Sequence, residues 1–201
     1  MNRTPILIIV ALITVFISCT INSKKISEPS VKEIEKIVPI GNKISKELVQ
    51  TLQKELKAAI KEGGLDKAID VCNLKAVPLT DIVANSTDMK VDIKRTTMKY
   101  RNKLNAPDDT EFDALGYFEN LISDNKEIPD YYLQKVNTGN ETSFYYYKPM
   151  KMGKVCLTCH GNPQMMDREV LSQINELYPD DKALNYKEGD FRGLIRIKIK
   201  E

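Results

Sequence analysis

The chain has 201 residues, of which 42% are hydrophobic and 29% charged, proportions typical of a globular protein with one well-formed core. Its formal net charge is only +2, which excludes the strongly basic surface expected of a nucleic-acid-binding protein. We therefore expect no nucleic acid among its partners.

Residues 1–18 have the pattern of a bacterial lipoprotein signal peptide. Arg3 precedes an apolar run that is too short to span a bilayer comfortably, and the run ends at Ser18-Cys19. This pattern predicts cleavage before Cys19 and acylation of that cysteine, which would anchor the protein on the periplasmic side of a bacterial membrane or at the cell surface. The alternatives are a cleaved secretory signal with an incidental Cys19 and an uncleaved anchor. All three export the chain.

Residues 19–42 are rich in Ser, Lys, Glu and Pro and lack aromatic side chains. This composition predicts a flexible tether that carries the lipid anchor and leads to a folded domain over residues 43–201.

Two amphipathic helices are predicted at the start of that domain. Apolar residues recur at helical spacing from Ile44 to Ile60, and a second apolar face runs from Leu65 to Val83, with Gly63-Gly64 ending the first helix. Cys72 lies on the apolar face of the second helix, so we expect it to point inward. Pro78 is expected to kink or end the regular part of that helix.

The remainder of the domain mixes strands and helices. Period-two alternation predicts strands in residues 90–100, in "SFYYYKPM", and in the C-terminal "FRGLIRIKIK", whose second face should be solvated. Helices are predicted over "TEFDALGYFENLIS", capped by Asp108 or Asp109, near 128–136, and over "DREVLSQINELYP". Helices first, then strands with helices inserted, indicate an α+β fold with an antiparallel sheet.

The segment Val155–Gly161, "VCLTCHG", contains two of the four cysteines and the single histidine. Cys-x-x-Cys-His is the attachment signal for c-type haem. The two thiols add across the two vinyl groups of the porphyrin, and the following imidazole can bind the iron. The segment therefore predicts haem c (iron), held covalently through Cys156 and Cys159 with His160 as an iron ligand. Export agrees, because covalent haem is attached outside the cytoplasm.

Other uses of these cysteines explain the pattern less well. A redox dithiol normally follows a strand and opens a helix in a βαβ unit, which the flanking residues do not resemble. A structural disulfide leaves His160 without a role. A zinc site would need Cys72 as its fourth ligand, and the adjacent Cys159 and His160 chelate one tetrahedral ion poorly.

The sixth iron position cannot hold a second histidine from this chain, since His160 is the only one. From the residue types alone, three choices stay open: Cys72, a methionine, and a site without a protein ligand. The methionines near the motif are Met150, Met152, Met165 and Met166.

Four dispersed segments resemble those of small c-type haem proteins with a PAS-like domain, which also occur as sensory domains of bacterial signalling proteins. They are "AIDVCNLKA" (68–76), "TTMKYRNKLNAPDDTE" (96–111), "CLTCHG" (156–161) and "YPDDKALNYKEGDFRGLI" (178–195), and the resemblance spans roughly residues 44–199. The family often has a glycine where this chain has Asn185. Because Asn also tolerates a left-handed backbone, we expect that turn to form.

The resemblance implies an antiparallel sheet flanked by helices, with haem beside it and the two predicted N-terminal helices in front. It also implies an unusual axial pair, with His160 as proximal and Cys72 as distal ligand, which favours Cys72 over the other choices. A thiolate ligand would stabilise ferric iron and lower the reduction potential. Arg95, Arg101 and Arg192 are candidates to pair the haem propionates; the alternative is that they form surface or loop-fixing ion pairs.

Two functions fit this interpretation. The first is a membrane-anchored, single-haem electron carrier or redox-responsive protein with a redox partner protein. The second is a haem-based sensor of redox state or of NO or CO, which would signal through a partner because the chain has no room for an output domain. We expect no enzyme, since no second histidine or acid–base group accompanies an open site. A homodimer is left open, and the terminal strand argues against a four-helix cytochrome.

Overall fold

The computed structural model describes residues 24–139 and 141–201, so the signal peptide predicted over residues 1–18 and the predicted lipidation site Cys19 lie outside the described residues. Within them, five strands form one antiparallel sheet in the order β1-β3-β4-β5-β2. The strands are β1 (Lys24–Ser27), β2 (Val91–Thr96), β3 (Tyr132–Thr138), β4 (Glu141–Lys151) and β5 (Phe191–Lys200). The helices are α1 (Val31–Asp70), α2 (Ala76–Asn85), α3 (Asp109–Ser123), α4 (Leu157–His160) and α5 (Arg168–Leu177). The predicted α+β class is confirmed.

Helices cover both faces of the sheet. On one face, α1 and α2 pack against a buried cluster built around Tyr146 and Ile197, which face each other across β4 and β5. On the other face, Leu115 and Phe118 of α3 pack against Tyr147 of β4 and Leu194 of β5. The three consecutive tyrosines of β4 therefore belong to the sheet and its two cores.

The predicted C-terminal strand is confirmed, with Ile195, Ile197 and Ile199 buried on one side. Its polar face is less exposed to solvent than predicted, since Arg196 is only 6% exposed. Arg196 donates to the carboxylate of Glu111 at 3.0 Å, and Lys94 bonds the same carboxylate at 2.7 Å. Glu111 is completely buried, so its charge needs both cations. Glu111 belongs to α3, and Asp108 caps that helix, as predicted.

The folded region begins earlier than predicted, and the tether prediction is wrong for residues 24–42. There, β1 pairs with β3, and Ser30 caps a helix that runs on past Ile44. The carbons of the Tyr146 ring lie 2.3 Å from where a Cβ on Gly41 would be, so only glycine allows this approach. The low aromatic content of this segment did not indicate a buried helix. Its apolar residues are buried by strands that lie about a hundred residues later in the chain.

Two backbone breaks shape the long N-terminal helix. Gly63 and Gly64 have non-helical angles, with φ at 71° for Gly64, so the predicted stop is confirmed as a break inside α1. After Asp70 the helix widens into a π-helical turn over Val71–Lys75 and continues as α2. Pro78 lies in the first turn of α2, where its missing N–H and its ring disfavour a regular helix through residue 74.

The helix predicted near 128–136 is wrong, because this region contains β3 instead. Leu133 and Val136 are both buried and stand three residues apart, a spacing that a helix face would also produce. Pairing of β3 with β1 on one side and β4 on the other decides the outcome. Short-range periodicity cannot report such partners.

We predict that the contact between Glu33 of α1 and Lys135 of β3 stabilises the early part of the fold in a pH-dependent way. The bond to Lys135, helped by those to Ser30, lowers the pKa of Glu33 to about 2. A carboxyl with a depressed pKa stabilises the fold fully above its ordinary value of 4.5, and this contribution is lost as the pH falls towards 2. In urea unfolding, Glu33→Gln should therefore be less stable than wild type at neutral pH, and the difference should shrink at about pH 3. Glu35→Gln, at an exposed position two residues along, is the control; a pH-independent difference for Glu33→Gln would contradict the assignment.

Candidate functional site

The Cys-x-x-Cys-His segment occupies one compact turn between β4 and α5. Cys156 ends a short 3₁₀ turn over Lys154–Cys156, and Cys159 and His160 lie on the single turn of α4. Gly161 follows, and a Cβ there would stand 2.5 Å from the carbonyl oxygen of Leu157. A side chain at position 161 would clash with this oxygen, so the tight exit from the turn requires glycine.

The loop after α5 holds the His160 ring in place. Nδ1 of His160 donates to the carbonyl oxygen of Ala183 at 2.7 Å, which leaves Nε2 as the nitrogen with a free lone pair. Two backbone hydrogen bonds also join this loop to the motif. The Tyr186 N–H donates to the His160 carbonyl at 3.0 Å, and the Asn185 N–H donates to the Gly161 carbonyl at 2.8 Å. Asn185 has a φ of 61°, so the predicted left-handed turn is confirmed.

Arg101 fixes the same turn from the other side. Its Nη2 donates to the carbonyl oxygen of Cys159 at 2.5 Å and bonds the carboxylate of Asp181 at 3.0 Å. The other oxygen of Asp181 accepts from the backbone N–H of Ala183 at 2.8 Å. Arg101 thus has the loop-fixing role that the sequence left open as the alternative to propionate binding.

The two other candidate arginines lie nearby and differ in their bonding. Arg192 donates to Thr97, to the Lys99 carbonyl and, at 3.5 Å, to the Tyr186 hydroxyl. The Arg95 side chain makes no hydrogen bond or ion pair with the part of the chain that the structure describes. Burial lowers the pKa of both guanidinium groups. Arg95 is therefore the cation that keeps its donors available.

A cavity, which we call the cysteine cavity, brings most of the predicted site together. Its helical wall comes from α1 and the π-helical turn, and its motif wall from the Cys-x-x-Cys-His segment; Arg101 and Tyr178 complete the lining. The cavity encloses about 110 Å³. The helical wall consists of Leu56, Ile60, Leu65, Ala68, Ile69 and Cys72, and the motif wall of Val155, Cys156, Thr158, Cys159 and His160.

The lining of the cavity distinguishes among the candidate haem-binding residues. Cys72 shares it with both motif cysteines and His160, whereas Arg95, Arg192 and the four nearby methionines do not line it in the described part of the chain. Met152 packs in another cluster with Ala183 and Tyr186, and Met165 is 85% exposed. Geometry therefore favours Cys72 over methionine as the side chain opposite His160.

The sequence assigns no role in the site to eight of the lining residues, among them Leu56, Ile60 and Tyr178. Leu56 and Ile60 were recognised only as part of a helix face, and that periodicity cannot distinguish a cavity wall from core. Tyr178 belongs to the closing segment that carried the resemblance, which was the available signal.

Cys72 faces the cavity, not the core that the helix periodicity predicted. Cys72 is exposed to solvent, yet the surrounding residues desolvate its sulfur. This burial raises the pKa of the Cys72 thiol, while the charges of Arg95 and Arg101 act in the opposite direction. The thiol is thus accessible, and it lies in the field of nearby guanidinium groups.

Among the described residues, no three His, Cys, Asp or Glu side chains converge to hold a metal ion. In the same residues, no helix combines the length and apolarity needed to cross a bilayer.

A family model matches residues 23–200 of the chain. The chain belongs to the Tll0287-like family. Among solved structures, it is similar to the cyanobacterial heme-protein Tll0287, with 23% identity and a TM-score of 0.56, over 86% of this chain and 98% of that one. At this identity the likeness shows the fold. No curated protein matches the chain.

We predict that His160 stays neutral at physiological pH in the protein without a prosthetic group. Burial, supported by the charges of Arg101 and Arg192, lowers the pKa of His160 to about 3. Because the chain has one histidine, its imidazole C–H signal in an NMR titration needs no assignment. The signal should not move between about pH 5 and 8, where an ordinary histidine titrates. A midpoint near 6.5 would show that the imidazole is solvated instead.

Proposed function

We propose that this protein is an exported c-type haem protein with His160 and Cys72 as axial ligands, acting in electron transfer or redox response. The observation that carries the proposal is the cysteine cavity, where all three described thiols and the only imidazole line one space. A solved structure with the same fold is a heme-protein, which supports the choice of cofactor. The sheet with haem beside it would then be a PAS-like arrangement.

The residues present suit haem chemically. Cys156 and Cys159 are free thiols and can add across two vinyl groups, a reaction that forms thioethers without net oxidation. The Nδ1–H bond to the Ala183 carbonyl orients His160 and makes Nε2 the iron-binding nitrogen. The helical wall supplies an apolar surface. Because the cavity encloses only about 110 Å³, a porphyrin would extend beyond the enclosed space, and Cys72 in its lining is exposed to solvent.

When bound, haem iron supplies one-electron chemistry, and the protein tunes it through ligands and charge. The Cys72 thiolate would stabilise the ferric state, and Arg95, which lacks a described partner, is our candidate for a propionate or a counter-charge to the thiolate. Arg101 and Arg192 are largely engaged in holding loops. Within the described lining, no carboxylate or second histidine is placed for acid–base work. We therefore propose a carrier and not an enzyme.

A sensor of redox state, NO or CO is the second candidate, and the exposure of Cys72 favours it. A ligand that solvent can reach is easier to exchange for a small molecule than one sealed in the core. Displacement of Cys72 by CO in the ferrous protein would support sensing through a partner, whereas retention of Cys72 would support the carrier.

We propose that a lipid on Cys19 anchors the protein to the periplasmic side of a membrane or to the cell surface. The first described strand begins at Lys24, and the five Cα–Cα steps from Cys19 to Lys24 span at most about 17 Å in an extended chain. The domain would therefore lie close to the bilayer and meet its redox or signalling partner there.

Cys19→Ala should move the protein from the membrane to the soluble fraction. Without the acylated side chain, the membrane affinity supplied by buried methylenes is lost. Fractionation and immunoblotting measure the change, and Cys72→Ala, which leaves Cys19 intact, should stay in the membrane fraction. Membrane association of Cys19→Ala would indicate an uncleaved anchor.

Cys72→Ala should abolish the low-spin ferric thiolate signature in EPR and absorption spectra, while the haem stays covalently bound. The expected reason is loss of the sulfur ligand opposite His160. Material for this test is made in a cell competent in cytochrome maturation.

Met152→Leu is the matched control, since Met152 packs outside the cavity and this exchange costs less than about 1.5 kcal/mol. It should keep the wild-type spectrum. An unchanged spectrum in Cys72→Ala would give the sixth position to another group, and wild type without covalent haem would refute the proposed function.

A further inference from the structure

We propose that Tyr178 is a positioning residue, whose hydroxyl holds Cys72 in place through Asn73 and so opposes its exchange for another ligand. The inference rests on the proposed function, because it concerns Cys72 as an iron ligand. It adds a residue that acts on the ligand from outside the iron site.

The first observation is a hydrogen bond between Tyr178, which lines the cysteine cavity, and the π-helical turn. The Tyr178 hydroxyl donates to Oδ1 of Asn73 at 3.1 Å, joining residues 105 positions apart. Asn73 is the immediate neighbour of Cys72 within the π-helical turn. The bond therefore connects the loop after α5 to the part of the helical wall that carries the thiol.

The second observation is that the Tyr178 ring is firmly held. The residue is only 9% exposed and packs with Ile69, Val170 and Ile174. Its backbone N–H donates to the Ile174 carbonyl at 2.8 Å, and its carbonyl accepts from Asp181, which pairs with Arg101. Since Arg101 also bonds the Cys159 carbonyl, these bonds connect the Tyr178 backbone to the motif wall, while its ring packs in one cluster with Ile69 of the helical wall.

The third observation is the helical turn itself. A π-helical turn is one residue wider than the regular helix, so closing it would rotate Cys72 by about 100° relative to α2. Pro78 disfavours regular helix across this point, but it does not determine where the side chains of the turn lie. The Asn73–Tyr178 bond supplies that constraint, because it connects the turn to the C-terminal end of α5.

Together these contacts make the position of Cys72 depend on one side-chain bond. Removing the hydroxyl keeps the packing of the ring and leaves the π-helical turn without its link to the motif wall. The fraction of molecules with Cys72 away from the iron should then rise about five-fold, the equilibrium equivalent of one net hydrogen bond.

The test measures imidazole binding to the ferric, haem-loaded protein by absorption titration. Imidazole must displace Cys72, so its apparent Kd is inversely proportional to the fraction of molecules in which Cys72 is off the iron. Tyr178→Phe and Asn73→Ala should each lower this Kd about five-fold, and the double variant should lower it no further, because both remove the same bond. Tyr147→Phe is the control, since it loses a distant hydroxyl contact to Thr110 and should bind imidazole like wild type.

A second comparison separates positioning from a general loosening of the fold. In the Cys72→Ala background, adding Tyr178→Phe should leave the imidazole Kd unchanged, because the ligand that Tyr178 positions is gone. An unchanged Kd in both Tyr178→Phe and Asn73→Ala overturns the inference, as does an equal effect of Tyr178→Phe with and without Cys72. In those cases the wild-type thiolate signature survives, and so does the proposed function. Wild type without covalent haem refutes the proposed function instead.

Discussion

The hydrogen bond from His160 Nδ1 to the Ala183 carbonyl is the interaction on which the site depends. It fixes the tautomer of the only imidazole and orients the ring. The closing loop can present that carbonyl because Asp181 holds the Ala183 N–H and pairs with Arg101, which in turn binds the Cys159 carbonyl. The motif and the closing loop thus form one unit, and loss of any of these bonds would loosen the imidazole.

Electrostatics around the cysteine cavity are unusually one-sided. The charges of Arg95, Arg101 and Arg192 all disfavour a proton on His160. The carboxylate of Asp181 pairs with Arg101 and also favours the charged form of Arg192. Such a site favours an anionic partner, and a Cys72 thiolate on ferric iron, or the propionates of haem, would supply one. The same field would resist protonation of the sulfur, which would help to keep it on the metal.

Patterns within single elements were predictive where burial is decided by near neighbours. The amphipathic face of α3, its cap at Asp108 and the alternating strand β5 were all found from the sequence. Prediction failed where a distant strand decides the structure. Residues 24–42 were assigned to a tether and residues 128–136 to a helix, yet the first region packs on the sheet and the second contains one of its strands. In both cases the partners lie far away in the chain, and local periodicity does not record them.

The sequence by itself determined the chemistry on offer: two thiols and an imidazole at the spacing of a haem attachment signal, with no second histidine to complete an axial pair. Residue types alone left Cys72 and the methionines as open choices, and only the family resemblance favoured Cys72. Neither distinguished the arginine left without a described partner from those that fix loops. Tertiary structure distinguishes these candidates by position, because α1 and the π-helical turn bring Cys72 to the cavity while Met152 packs outside it. The physical reason is that such a ligand set is assembled from residues far apart in the chain, so it exists only once the sheet and its helices have packed.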